Sequence, residues 1–130
     1  MVINKILILE DNDDRINLFK ENWSNPLLEL TFVNHSDDAI EQLKTNNFNM
    51  IFLDHDLEEK QMIYNPEDCG MRVAEFLKEN PVNAEIVIHS TNSAAAKLMN
   101  KLLPKAKLIP GIWTVKPKVK INKTAQTDNE

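Results

Sequence analysis

The sequence has little of several features that define special classes of protein. It contains a single cysteine, Cys69, so an internal disulfide is excluded and no cysteine pair is available for a metal. No apolar run approaches the roughly 18 residues that a membrane span requires. The N-terminus has no charged segment followed by an apolar export signal. We therefore expect a cytoplasmic protein with one free, buried thiol and no membrane partner.

The chain also lacks internal repeats, low-complexity segments and the composition of a disordered protein. Its 130 residues are 42% hydrophobic and 27% charged, which is ordinary for one globular domain. The net charge of −5 is unevenly distributed, because residues 101–130 contain seven lysines against only Asp128 and Glu130. These lysines are not interleaved with arginine or aromatic residues. We therefore expect a solvated helix end and tail, with no duplex nucleic acid as a partner.

Five short apolar runs predict strands. The runs at 5–10 and 50–53 are continuous rather than alternating, which favours strands buried on both faces. Segments with helical spacing of apolar residues follow the first four strands, so right-handed crossovers are expected. The predicted fold is an α/β three-layer sandwich with a five-stranded parallel sheet in the order 2-1-3-4-5. The predicted strands are residues 5–10, 28–33, 50–53, 85–89 and either 108–109 or 112–115.

The predicted helix ends rest on local signals. Asp13 is the expected N-cap of the first helix and Ser36 that of the second. The third helix should stop near Asn80, which precedes a proline, and the fourth should run over 94–103. Residues after Pro117 lack apolar periodicity, so the last helix of such a fold is expected to be missing. The predicted domain covers 1–117, followed by a polar, lysine-containing tail over 118–130.

Acidic residues follow the first and third predicted strands, at the edge where open parallel sheets bind ligands. These strands are neighbours in the predicted order, so the carboxylates would share one pocket. Carboxylates this close repel one another unless a cation neutralises them, which predicts a divalent metal site. Magnesium, manganese or calcium suits such oxygen ligands, and nearby histidines leave zinc or iron open. Magnesium or manganese is the expected cofactor, with zinc as the alternative. The predicted metal ligands are Glu10, Asp11, Asp54 and Asp56.

Two histidines lie at the same edge, His55 within Asp54-His55-Asp56 and His89 at the end of the fourth strand. Imidazole can move protons near neutral pH, so His55 and His89 are predicted catalytic residues. Asp54 is the third predicted catalytic residue, because it would hold the metal beside them. Ser90 and Asn92 come next, at a predicted helix N-terminus. They are expected to bind phosphate there, although capping of the helix alone explains at least one of them.

Together these residues resemble a known family. Glu10-Asp11 after an apolar run, Phe-Leu-Asp54-His55-Asp56-Leu57, Cys69-Gly70 and Ile-Val-Ile-His89-Ser90-Thr91-Asn92 resemble the cyclic-phosphate processing receiver domain family, a variant of the receiver fold of response regulators. The resemblance runs from about residue 3 to residue 103. One departure is the Ser-Ala-Ala-Ala that follows Asn92, where the family usually has a proline.

The resemblance implies a flavodoxin-like, receiver-like fold and a metal-assisted site for cyclic phosphates or related nucleotides. It also implies that Arg15 and Asn92 contact the substrate. The acidic residues would be the metal positions, with His55 and His89 as additional histidines. On this interpretation the protein is a metal-dependent cyclic phosphate hydrolase, and its partner is a small phosphate-containing ligand or nucleotide.

Two other functions are open. An ordinary signalling receiver would be phosphorylated on Asp54, with Ser90 or Thr91 as its switch hydroxyl and Lys116-Pro117 as its lysine and proline. Two features argue against a signalling receiver. His55 and Asp56 crowd Asp54, the residue that would accept the phosphoryl group, and the last helix of the fold is expected to be missing. A non-catalytic sensor or adaptor would only bind a nucleotide or metal. Its uncovered sheet edge would suit a homodimer or a partner protein.

Overall fold

The computed structural model describes residues 4–54, 69–90 and 93–109. They form one five-stranded parallel sheet in the order β2-β1-β3-β4-β5, which confirms the predicted fold class and strand order. The strands are β1 (Asn4–Leu9), β2 (Leu28–Val33), β3 (Met50–Leu53), β4 (Glu85–His89) and β5 (Lys107–Ile109). The helices are α1 (Asp13–Asn22), α2 (Ser36–Thr45), α3 (Gly70–Glu79) and α4 (Ser93–Leu102).

Helices cover both faces of the sheet, and strand side chains alternate between them. On one face, Leu9, Leu53 and Ile88 pack in a cluster with residues of α2, α3 and α4. On the other face, Phe52 and Val87 pack against Phe19 of α1 and against Trp23, the C-cap of that helix. Both faces of the central strands are thus dry. Burial on both faces explains why these strands are continuous apolar runs in the sequence.

The beginnings of two helices differ from the predictions. The N-cap of α1 is Asn12, whose Oδ1 accepts a hydrogen bond from the backbone N–H of Arg15 at 3.0 Å. Asp13 is already helical, so its assignment as the cap is wrong. The cap position of α2 is His35, and Ser36 is the first residue of that helix. A cap needs extended backbone, which Asn12 and His35 have, and residue type alone does not determine this.

The other predicted boundaries hold to within a residue or two. α3 ends at Glu79 with Asn80 as its C-cap, directly before Pro81. β5 corresponds to the first of the two predicted alternatives. The second alternative at 112–115, the missing last helix and the tail after Pro117 lie outside the described residues, so the domain boundary at 117 stays a prediction. Among the helices that the structure describes, none is long and apolar enough to span a membrane.

Candidate functional site

Three buried carboxylates meet beyond the carboxyl ends of β1 and β3. Glu10 and Asp11 follow β1, Asp54 follows β3, and one ligand atom from each lies within 4.8 Å of the others. Their residues are 0%, 1% and 3% exposed. β1 and β3 pair up to Leu9 and Leu53, so the residues that follow arrive side by side. We call these three residues the acidic cluster.

Glu10 is held in place by donors from three residues. Its Oε2 accepts from the backbone N–H groups of Asp11 at 3.2 Å and Asn12 at 3.0 Å. Its Oε1 accepts from Nε of Arg15 at 3.0 Å, and Nη2 of Arg15 lies 3.0 Å from Oε2. Burial raises the pKa of Glu10 above its ordinary value, while the hydrogen bond and charge of Arg15 act in the opposite direction.

Arg15 supplies positive charge to the acidic cluster. Besides Glu10, its Nη2 contacts Oδ2 of Asp54 at 3.4 Å, and its side chain is 26% exposed. The guanidinium comes from the first turn of α1, which the Asn12 cap positions. Carboxylates this close repel one another, so a cation bound at the cluster would be stabilised there.

His89 lies behind Glu10, on the face of the sheet that α1 covers. Its side chain is 1% exposed, and its Nδ1 lies 3.6 Å from Oε1 of Glu10. The ring packs edge-on against Phe19 and Phe52, with centroids 5.6 and 5.8 Å away. Burial, and secondarily the charge of Arg15, lowers the pKa of His89 to about 3. The imidazole is therefore neutral near pH 7, and its contact with Glu10 is not an ion pair.

The remaining predicted residues are only partly described. Ser90 follows β4 and is 7% exposed. His55, Asp56 and Asn92 lie outside the described residues, so their catalytic, metal-binding and phosphate-binding roles stay predictions. The same holds for substrate binding by Arg15, whose described contacts are to carboxylates of the acidic cluster.

A pocket of about 300 Å³ adjoins the acidic cluster on the side of β2. Phe32 forms an apolar part of its wall, and Asp38 and Glu41 add carboxylates to the carboxylate of Glu10. Such a wall repels anions. A phosphate bound near this edge would therefore need a cation between itself and the carboxylates.

Sequence reasoning missed two residues that build the site. Asn12 caps α1 and donates its own N–H to Glu10, and asparagine before a helix is a recognised N-cap signal. Phe19 lies one helical turn after Arg15, and His89 lies two residues after Val87 on the same face of β4. These periodicities could have predicted that Phe19 encloses His89, given that α1 covers this face.

The family model described as the cyclic-phosphate processing receiver domain matches residues 6–105. The chain belongs to the cyclic-phosphate processing receiver domain family, which confirms the resemblance found in the sequence. Among curated proteins, the comparison finds no match.

Several solved structures of similar fold are receiver domains or response regulators. The signal receiver domain of a LuxO repressor protein from Vibrio parahaemolyticus has a TM-score of 0.63 at 20% identity, over 84% of this chain and 80% of that chain. The response regulator TrrA from Thermotoga maritima, in complex with Mg²⁺-BeF, has a TM-score of 0.62 at 18% identity, over 95% and 94%. The phosphorylated cyanobacterial phytochrome response regulator RcpA has a TM-score of 0.65 at 22% identity, over 83% and 80%. At these identities the likeness establishes the receiver fold alone.

Proposed function

We propose that this protein is a metal-dependent hydrolase of cyclic phosphates, acting at the carboxyl ends of β1 and β3. The observation that carries the proposal is the convergence of three buried carboxylates, with one ligand atom of each within 4.8 Å of the others. Carboxylates this close repel one another, and a divalent cation would offset that repulsion. The family name points to the same class of substrate.

The donor set fits magnesium or manganese. All three ligand groups are carboxylates, and hard divalent cations prefer oxygen. Both oxygens of Glu10 already accept hydrogen bonds, so Asp11 and Asp54 are the proposed direct ligands and Glu10 acts through water. His89 faces Glu10 and two aromatic rings, which favours these metals over zinc.

The residues of the chain have separate proposed roles around this metal. When bound, the cation supplies charge that polarises a phosphate and makes water a stronger nucleophile. Arg15 is partly exposed and can donate to a phosphate through its guanidinium. Ser90 is proposed to donate its hydroxyl hydrogen to a phosphate oxygen. His55, which directly follows Asp54, is the proposed proton-transfer residue.

The first test is calorimetric titration of the metal-stripped protein with magnesium, manganese and zinc. We expect micromolar to millimolar binding of magnesium or manganese, and at least about 10-fold weaker binding in Asp54→Asn because a charged ligand is lost. Asp38→Asn is the matched control, since Asp38 is an exposed carboxylate on the neighbouring pocket. Equal weakening in both variants would indicate only a general charge effect.

The second test is hydrolysis under the metal that binds best. Adenosine 2′,3′-cyclic phosphate and adenosine 3′,5′-cyclic phosphate would be followed by phosphorus NMR. Ring opening that Asp54→Asn abolishes and Asp38→Asn retains would support the proposal. Tight nucleotide binding without ring opening would instead favour a sensor or adaptor, for which a homodimer or protein partner stays a prediction.

A second candidate function is phosphorylation of Asp54. It is favoured by the position of Asp54 at the end of β3, beside Glu10 and Asp11, in a fold shared with a phosphorylated response regulator. Acetyl phosphate with magnesium would then add one phosphoryl group, detectable by intact mass and absent in Asp54→Asn. A mass that stays unchanged, together with no binding of beryllofluoride, would remove this candidate.

A further inference from the structure

We propose that His89 is a positioning residue, which holds the carboxylate of Glu10 from inside the protein and does not contact the substrate. The inference rests on the proposed metal site and assigns His89 a role other than the catalytic one predicted from the sequence. Its basis is the close approach of two side chains that are both shielded from solvent. The histidine side chain is 1% exposed and that of Glu10 is 0% exposed.

The contacts of Glu10 leave one side of its carboxylate for His89. Backbone N–H groups and the guanidinium of Arg15 approach the carboxylate as described above, and Nδ1 of His89 faces Oε1 at 3.6 Å. If Nδ1 carries the hydrogen, a weakly attractive N–H faces the carboxylate. If Nδ1 carries the lone pair, two acceptors face each other and repel. The geometry therefore favours the tautomer with hydrogen on Nδ1.

The surroundings of the second ring nitrogen favour the same tautomer. Among the residues that the structure describes, Nε2 of His89 is buried and has no hydrogen-bond partner. Phe19 and Phe52 meet the imidazole at interplanar angles of 69° and 60°. An N–H at this position would be a buried donor without an acceptor, which proteins tolerate less readily than an acceptor without a donor.

The enclosure of His89 argues against direct proton transfer to a substrate. A general acid or base must come within hydrogen-bond distance of the reacting group. The imidazole lies against Phe19, Phe52 and Glu10 and its side chain is 1% exposed, so a ligand at the acidic cluster would not reach its nitrogens without a rearrangement. Loss of a group that orients a metal site typically weakens metal affinity about 10- to 100-fold. Because Glu10 itself acts through water, we expect the effect of His89 at the lower end of this range.

The test compares two substitutions at this position. His89→Phe keeps an aromatic ring in an aromatic environment but removes both nitrogens, and His89→Asn keeps an N–H donor close to the position of Nδ1. We expect His89→Phe to bind manganese about 10-fold more weakly than the wild type. His89→Asn should restore affinity to within about 3-fold. Urea unfolding of both variants establishes that each is folded.

A second measurement reads the histidine without any metal. The chain has three histidines, so long-range proton–nitrogen NMR of the imidazoles gives three patterns, and His89→Asn identifies the one that belongs to His89. We expect the Nδ1–H tautomer. The Nε2–H tautomer would overturn the proposed contact whether or not the protein binds a metal.

The remaining outcomes separate this inference from the proposed function. Unchanged manganese affinity in His89→Phe would overturn the positioning role. Lost hydrolysis with wild-type manganese affinity in that variant would also overturn it, and would make His89 catalytic. A wild-type protein that binds neither magnesium nor manganese would refute the proposed metal site. In that case the tautomer of His89 would still test whether His89 contacts Glu10.

Discussion

Nη2 of Arg15 lies 3.4 Å from Oδ2 of Asp54, which ties the first turn of α1 to the end of β3. The same guanidinium is bonded to Glu10 at the end of β1. One side chain thus offsets carboxylate charge from two neighbouring strands. A divalent cation at the acidic cluster would take over part of this role, and the arginine would become more available to an anionic ligand.

The first prediction concerns the balance between Arg15 and a metal. Arg15→Gln should destabilise the protein by about 2 kcal/mol in the presence of a chelator, because it removes the positive charge that contacts buried Glu10 and Asp54. The partial exposure of Arg15 puts this cost below that of a fully buried pair. Magnesium should then stabilise the variant more than the wild type, since a competing positive charge is gone. Urea unfolding with and without magnesium measures both effects.

Arg72→Gln is the control for that experiment. Arg72 is the second of two arginines in the chain and pairs with exposed Asp37. Its loss should cost less than about 1 kcal/mol and leave the effect of magnesium unchanged. An equal magnesium effect in wild type and Arg15→Gln would contradict competition between Arg15 and the metal.

The second prediction concerns stability against pH. Burial lowers the pKa of His89 from 6.5 to about 3. Between these two values the unfolded chain binds a proton on this residue and the folded chain does not. Stability should therefore fall as the pH falls from 6.5 towards 3, with a limiting slope of about 1.4 kcal/mol per pH unit. Urea unfolding with a chelator, between about pH 5 and pH 7, measures the slope.

Glu10 acts in the opposite direction. Burial raises the pKa of Glu10 above 4.5 in the folded state. Its contribution to stability is therefore present below pH 4.5 and is lost as the pH rises through the pKa of the folded state. This change offsets part of the slope that His89 causes. His89→Phe should remove the histidine contribution and leave that of Glu10. If the loss of stability on acidification persists unchanged in this variant, His89 is not its source.

The third prediction concerns the cap of α1. Asn12→Ala should cost about 1 kcal/mol, because the N–H of Arg15 loses its acceptor at the start of the helix. Asn12→Ser should restore most of this, since serine is also a good N-cap. Asp13→Ala removes only an acidic group from the first turn and should cost a few tenths of a kcal/mol. Thermal unfolding would rank the three, and a larger cost at Asp13 would argue against Asn12 as the cap.

The fourth prediction concerns the aromatic enclosure of His89. Phe19→Ala should cost about 3–5 kcal/mol and open a cavity beside the imidazole. Better hydration should raise the pKa of His89 towards its ordinary 6.5, measured by NMR titration of the ring. Phe48→Ala is the matched control, because Phe48 packs in the cluster on the other face of the sheet. A shift of equal size in both variants would mean that general loosening, not the loss of Phe19, hydrates His89.

The sequence by itself determined the elements of this fold and which residues end its strands. Met50–Leu53 is a strand because four consecutive apolar residues suit a strand buried on both faces. The parallel order then brings Glu10, Asp11 and Asp54 together, since paired strands end at one edge. These inferences depend on the spacing of apolar residues and on the rules by which parallel strands are connected. Both can be applied to short stretches of the sequence.

Only the tertiary structure decided the cap of α1, the bridge formed by Arg15 and the neutral state of His89. Asn12 and Asp13 are both good capping residues, and backbone conformation chooses between them. Arg15 and Asp54 are 39 residues apart in sequence, and no local pattern sets their distance. His89 is neutral because Phe19 and Phe52, from two other elements, exclude water from it. A charge state depends on what surrounds a group in space, and the order of residues along the chain specifies that only through the completed fold.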